Sequence, residues 1–174
     1  AETDTRRFFT FPPTDPPLLS VTTDSQGYTI WKTEGSSYCD YNDHQLTITL
    51  DTDPAEITDL SLIVSAYDVD YTGDPACTAG PEVDTVALNG TNLGILRGAN
   101  ESWSTSRFSV NAGMLQRGDN TVYIDTDSTG TDCWCVGIGY VALRGKVGSF
   151  QVKNVSPQNK AECVDWENPG IEAQ

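Results

Sequence analysis

Basic residues are scarce in this chain. Lys and Arg number 10 against 25 Asp and Glu, a formal net charge of −15 over 174 residues. A polyanion repels nucleic acid and anionic membrane at long range, so both are excluded as expected partners. Divalent cations, glycans or a cationic partner suit this charge better. Histidine is also nearly absent: His44 stands alone. The five cysteines form no CxxC pair, which leaves no set of zinc ligands. No apolar run approaches the roughly 18 residues that a membrane-spanning helix needs. No serine elbow, zinc-hydrolase motif or phosphate-binding loop appears, so the chain is not expected to be an enzyme.

What remains is a series of short apolar runs separated by turn residues. Leu46, Ile48 and Leu50 alternate with threonines between Gln45 and Asp51. Leu60–Ala66 is aliphatic on both parities, as expected of a strand covered on both faces. Tyr28–Thr33, Val83–Leu88, Leu93–Leu96, Arg107–Val110, Thr121–Ile124, Trp134–Leu143 and Gly148–Val155 read as further strands, and Asn89-Gly90 is a strong hairpin signal. Single helical turns fit only near Pro54–Thr58 and Asn111–Gln116. About nine strands and no amphipathic helix predict an all-β fold, a β-sandwich of jelly-roll or immunoglobulin-like type.

The ends read differently. Residues 1–26 form an expected N-terminal arm, in which Phe8, Phe9 and Phe11, then Leu18, Leu19 and Val21, flank a segment with Pro12, Pro13, Pro16 and Pro17. Those prolines exclude helix and central strand. The apolar patches would bury themselves on an edge of the same sandwich or on a neighbouring copy. The sandwich is expected over residues 27–155, and residues 156–174 are a tail with Cys163 and Trp166. The start at Ala1, without Met, reads as a mature chain or a trimmed one.

Carboxylates gather where strands should end. Asp68 and Asp70 follow one strand, Glu82 and Asp84 precede the next, and Asp125 and Asp127 close another. Pairs spaced i, i+2 on a strand point the same way. Like charges so placed repel unless a cation or water separates them. Calcium takes about 6–8 oxygen ligands from carboxylates, carbonyls and water. If the strands ending at Tyr67 and Ile124 are neighbours or face each other, then Asp68, Asp70, Asp84 and Asp125 converge, with Asp127, Asp74 or Glu82 completing a calcium shell. Solvated turn aspartates would give the same pattern.

Cysteines Cys39, Cys77, Cys133, Cys135 and Cys163 suggest disulfides in an oxidising compartment, with one thiol left free or bonded between chains. Cys77–Cys133 would clamp two acidic loops and Cys39–Cys163 would tie the ends; the alternative bridges Cys135 and frees Cys133. Asn89, Asn100 and Asn154 head glycosylation sequons. Among the tryptophans, Trp103 in a polar loop is the candidate for stacking on a sugar, whereas Trp31 and Trp134 sit in core patterns.

The segments AYDVDY (66–71), EVDTVALNGTNLGIL (82–96), ESWSTSRFSV (101–110), GDNTVYIDTD (118–127) and CWCVGIGYVAL (133–143) resemble a calcium-binding β-sandwich module of bacterial extracellular, adhesin-type proteins, related in style to galactose-binding-like carbohydrate modules. The resemblance spans residues 62–144. It implies structural calcium ligands at Asp68, Asp70 and Asp84. Two functions follow as expectations. The first is a secreted or cell-surface structural and adhesive subunit, polymerising with copies of itself through the arm. The alternative is a calcium-dependent carbohydrate-binding module that engages glycans through Trp103.

Overall fold

The computed structural model describes residues 19–36, 39–71, 73, 80–127 and 134–148. Ten strands run in order through them: β1 (Leu19–Thr23), β2 (Thr29–Glu34), β3 (Cys39–Asp40), β4 (His44–Leu50), β5 (Ile57–Tyr67), β6 (Thr85–Leu88), β7 (Thr91–Ile95), β8 (Trp103–Ser109), β9 (Gly118–Asp125) and β10 (Val136–Val147). Short 3₁₀ turns at Pro54–Glu56 and Ala112–Met114 are the helical content of the described residues. None of it is long and apolar enough to cross a membrane.

The strands form two antiparallel sheets. One runs β1-β2-β10-β5-β8, with β3 also paired to β10; the other runs β4-β9-β6-β7. The chain is therefore a β-sandwich. Alternation builds its core: Trp31, Leu62, Val64, Phe108, Val141 and Leu143 from the larger sheet meet Ile48, Leu50, Val86, Leu88, Val122 and Ile124 from the smaller. Each fully buried aliphatic side chain of this kind contributes roughly 1.5–3 kcal/mol. The Trp31 indole N–H remains satisfied at the edge of the core, donating to Asp51 Oδ1 at 3.0 Å.

Three expectations change. β5 has the second sheet on one face only; on the other, Ile63 and Ser65 are half-buried among their strand neighbours. Leu19–Thr23, assigned to the arm, is edge strand β1 of the same molecule, with Leu19 opposite Thr33 and Val21 opposite Trp31. The sandwich thus starts before residue 27, because β2 offers a free row of backbone hydrogen-bonding groups that this extended, β-branched stretch can satisfy. Finally, the strand at Arg107–Val110 begins earlier, at Trp103, since it pairs with β5 along its whole length. The arm residues Phe8, Phe9, Phe11 and Leu18, and the tail from 156 onward, lie outside the described residues.

Candidate functional site

At one end of the sandwich, the exit of β5 meets the entry to β6 and the exit of β9. Here Asp70, Glu82 and Asp84 are buried, the last two with no exposed surface at all. Backbone groups stitch them together. The Asp70 N–H donates to Glu82 Oε2 at 2.8 Å, and the Glu82 N–H returns to the Asp70 carbonyl at 3.0 Å. The Asp127 N–H donates to Asp84 Oδ1 at 2.9 Å, while the Val83 N–H donates to Asp127 Oδ2 at 3.0 Å. Glu82 Oε1 and Asp84 Oδ2 are left buried without a hydrogen-bond donor. Burial, then the nearby Asp84 charge, pushes the Glu82 carboxyl up to about 8. Burial also raises Asp84, to about 6, against the lowering effect of the Asp127 N–H. Two buried acids with orphaned oxygens need either a shared proton or a cation.

Of the five expected metal ligands, the fold brings Asp70, Asp84 and Asp127 into this centre. Asp68 and Asp125 face elsewhere. Asp68 adopts a left-handed conformation, φ 62°, which breaks the strand alternation that would have aligned it with Asp70. Its carboxylate accepts the Glu101 N–H and lies 3.5 and 3.7 Å from the sulfurs of Cys39 and Cys135. Asp125 is exposed on the outer face of β9, beyond buried Ile124. It sits beside Asp43, whose carboxyl is held low chiefly by the Tyr123 hydroxyl. Glu82, named in sequence only as a completing ligand, is among the deepest members. Its position, two residues before Asp84 at a strand entry, was the available signal.

Cys39 is bonded to Cys135, not to Cys163 as expected. The pairing follows from register: β3 lies against the start of β10, with Cys39 opposite Gly137, so the cysteine Cα atoms come within 5.2 Å. Of the alternative, one part is seen, that Cys135 is bridged. Cys77 and Cys133 lie outside the described residues. With both sulfurs in a disulfide, neither donates a proton to Asp68 or serves as a thiolate, so Cys39, Asp68 and Cys135 do not make a metal site in this state.

Trp103 opens β8, an edge strand, and is 53% exposed. Register sets it beside Tyr67 of β5, with ring centroids 5.4 Å apart and planes inclined at 54°. The Cζ3–Cη2 edge of its six-membered ring abuts Gly139, where a Cβ would fall 2.7 Å from Trp103 Cζ3 and 3.1 Å from Cη2. Gly139 sits at a register shift between Ile138 and Tyr140, so the bulge and the absent side chain together make the seat for the indole. Trp31 and Trp134, by contrast, are buried.

The sequons separate as well. Asn89, in the left-handed turn between β6 and β7, uses its side-chain amide to donate to Met114 O and Asn120 Oδ1, each at 2.9 Å, and its Oδ1 accepts the Thr121 N–H. Both amide hydrogens are engaged, so the fold employs Asn89 as a structural pin. Asn100 is exposed in a turn, and Asn154 lies outside the described residues.

No protein-family model matches the chain, and no curated protein matches it in sequence. Among solved structures it is similar to a beta-porphyranase of glycoside hydrolase family 86 from the human gut bacterium Bacteroides plebeius, with a TM-score of 0.45 and 15% identity over 69% of this chain. The chain spans 21% of that protein's length.

Proposed function

We propose that the chain is a secreted, non-catalytic glycan-binding module stiffened by a structural calcium ion. The observation that carries the reading is Trp103, half-exposed on a sheet face and seated against Gly139 and Tyr67. An indole seated at one edge and partly uncovered presents the apolar, π-rich surface on which the C–H face of a sugar stacks, with little entropy lost on binding. The buried acids do not offer hydrolysis an alternative: with no exposed surface, Glu82 and Asp84 cannot reach a glycosidic bond.

Calcium would be held by Asp70, Glu82, Asp84 and Asp127, and the orphaned oxygens of Glu82 and Asp84 support that fit. The ion would supply charge neutralisation to carboxylates that cannot otherwise ionise together. A disulfide near the same end suits a protein outside the cell. The test is affinity electrophoresis of wild type and Trp103→Ala against a panel of polysaccharides, with thermal denaturation as the fold control. Retardation by at least one polymer, lost in a variant that remains folded, supports the module. Equal retardation of both proteins removes Trp103 from the reading.

Assembly through the N-terminal arm has one specific observation in its favour. Leu19 and Val21 of edge strand β1 are 46% and 49% exposed, although they lie on the core-facing side of their sheet. Phe8, Phe9, Phe11 and Leu18 would extend that apolar edge to a neighbouring copy in a filament. Removal of residues 1–18 leaves β1 in place and separates the two readings: polymers seen by light scattering should disappear, whereas glycan retardation should survive.

A further inference from the structure

A cleft lies between the two edge strands β7 and β8, and the β8 residue nearest to Trp103 in its lining is Thr105, two positions on. The cleft has a volume of about 430 Å3, opens to solvent, and has Leu93, Phe108, Thr105, Ser106, Arg97 and Arg107 in its lining. No carboxylate is among the described residues that line it. That is notable in a chain with 25 acids and 10 Lys and Arg. Other cations of the same sheet face are already neutralised: Arg144 by Asp24 at 2.8 Å, Lys32 by Glu34 at 2.5 Å and Lys146 by Asp59 at 3.7 Å. Arg107 has no ion pair among the described residues. Arg97 is placed without one too, its guanidinium 4.5 Å from the centre of the Tyr71 ring. Its backbone is tied to β8, because the Arg97 N–H donates to buried Ser106 Oγ at 2.9 Å.

We infer that this cleft is the charge-reading part of the glycan site, and that its ligand is an acidic polysaccharide whose carboxylate or sulfate groups are taken by Arg97 and Arg107. The inference rests on the glycan-binding reading of Trp103. A guanidinium presents a planar fork of donors that matches the oxygens of a carboxylate or sulfate, and cations with no ion pair among the described residues, one of them stacked on a ring, keep N–H groups of that fork for a ligand. Trp103, Thr105 and Arg107 occupy alternate positions on one face of β8, so the first and last are about 13 Å apart along the strand. That is the reach of a short oligosaccharide, with one ring on the indole and an acidic substituent at the cleft. Leu93 and Phe108 add apolar lining for sugar C–H groups.

The test compares matched polymers in affinity electrophoresis at neutral pH and physiological salt: polygalacturonate with its methyl ester, dextran sulfate with dextran, and iota-carrageenan with agarose. The proteins are wild type, Trp103→Ala, the double variant Arg97→Gln/Arg107→Gln, and Arg117→Gln as a surface-charge control. At least one acidic polymer should bind wild type roughly tenfold more tightly than its neutral counterpart, and the double variant should lose that margin while Arg117→Gln keeps it. Wild-type binding to neutral polymers that matches the acidic ones, or an acidic preference unchanged in the double variant, overturns the charge inference and leaves the Trp103 platform standing. An acidic preference lost equally in Arg117→Gln also overturns it, because net charge rather than the cleft is then being read. Retardation by none of the polymers, or binding indifferent to Trp103→Ala, overturns both.

Discussion

Glu82→Gln should stabilise the metal-free protein at neutral pH. Glutamine keeps the acceptor oxygen that the Asp70 N–H uses at 2.8 Å and removes only the ionisable proton. The folded-state value of Glu82 is raised from 4.5 to about 8. A carboxyl raised in this way stays protonated in the folded chain while the unfolded chain releases its proton. Its stabilising effect is therefore fully present below pH 4.5 and is lost as pH rises towards 8. Asp84, raised to about 6, is half ionised at pH 6 and largely ionised by pH 7, so it adds a minor part of the slope at the start of the interval from pH 6 to 8 and Glu82 carries the rest. At about 1.4 kcal/mol per pH unit, wild type in chelator should lose about 3 kcal/mol across those two units. For a domain of this length that corresponds to roughly 6–12 °C in Tm. The assay is thermal and urea denaturation at pH 6, 7 and 8 with chelator present. The variant should be nearly flat where wild type falls, and at pH 8 it should be the more stable protein. A wild-type profile with no slope, or a variant with the same slope, would refute the account of Glu82 as a buried acid without a counter-charge. With saturating calcium the order should reverse, because the variant has lost a ligand oxygen of full charge.

Cys39→Ser should cost roughly 2–5 kcal/mol in urea denaturation, since the Cys39–Cys135 bond closes a loop of 96 residues and so restricts the unfolded chain; an unchanged midpoint would contradict this. Gly139→Ala places a methyl group 2.7 Å from Trp103 Cζ3 and should expel the indole from its seat. The expected result is red-shifted Trp emission and at least tenfold weaker glycan retention, with a stability loss of roughly 1–3 kcal/mol; unaltered retention would show that the seat does not matter.

Much of the sandwich was legible because alternation and turn chemistry speak directly. Leu46, Ile48 and Leu50 point inward in β4 or lie against the core, and Asn89-Gly90 makes the β6–β7 hairpin with φ 48° and 79°, the left-handed pair that a two-residue hairpin turn requires. β8 was harder to read. Its inward residues include Ser104 and Ser106, small and polar because the incoming segment at Arg97 and Gly98 passes close: a Cβ on Gly98 would fall 2.5 Å from Ser104 Oγ. Serines facing inward disguise a strand as a loop. β1 was masked by the prolines before it. The disulfide partner of Cys39 depends on a two-residue strand meeting β10 some 96 residues later, and no local pattern encodes that register. For the carboxylates, i, i+2 spacing points one way only while the strand continues. At Asp68 the backbone turns left-handed, so Asp68 and Asp70 serve different neighbours.

That same turn joins the two halves of the proposed site, and this leads to a prediction that neither half makes alone. Tyr67 supports Trp103, Asp68 accepts the Glu101 N–H and donates its own N–H to Ser102 O, Val69 is buried against Gly98, and Asp70 enters the carboxylate centre. Four consecutive residues thus connect the buried acids to the segment 97–103, which carries both Arg97 and Trp103. If calcium holds Asp70, removing it releases one end of this tie, and part of the glycan's binding free energy must then go to ordering residues that were previously fixed. Chelation should weaken glycan retention by roughly three- to tenfold even though no proposed calcium ligand touches the sugar. Reciprocally, saturating glycan should raise calcium affinity by the same factor, measurable by calorimetry. Chelation that lowers Tm but leaves glycan affinity unchanged would show that segment 97–103 is held by its own contacts with β8, and that the metal serves stability alone.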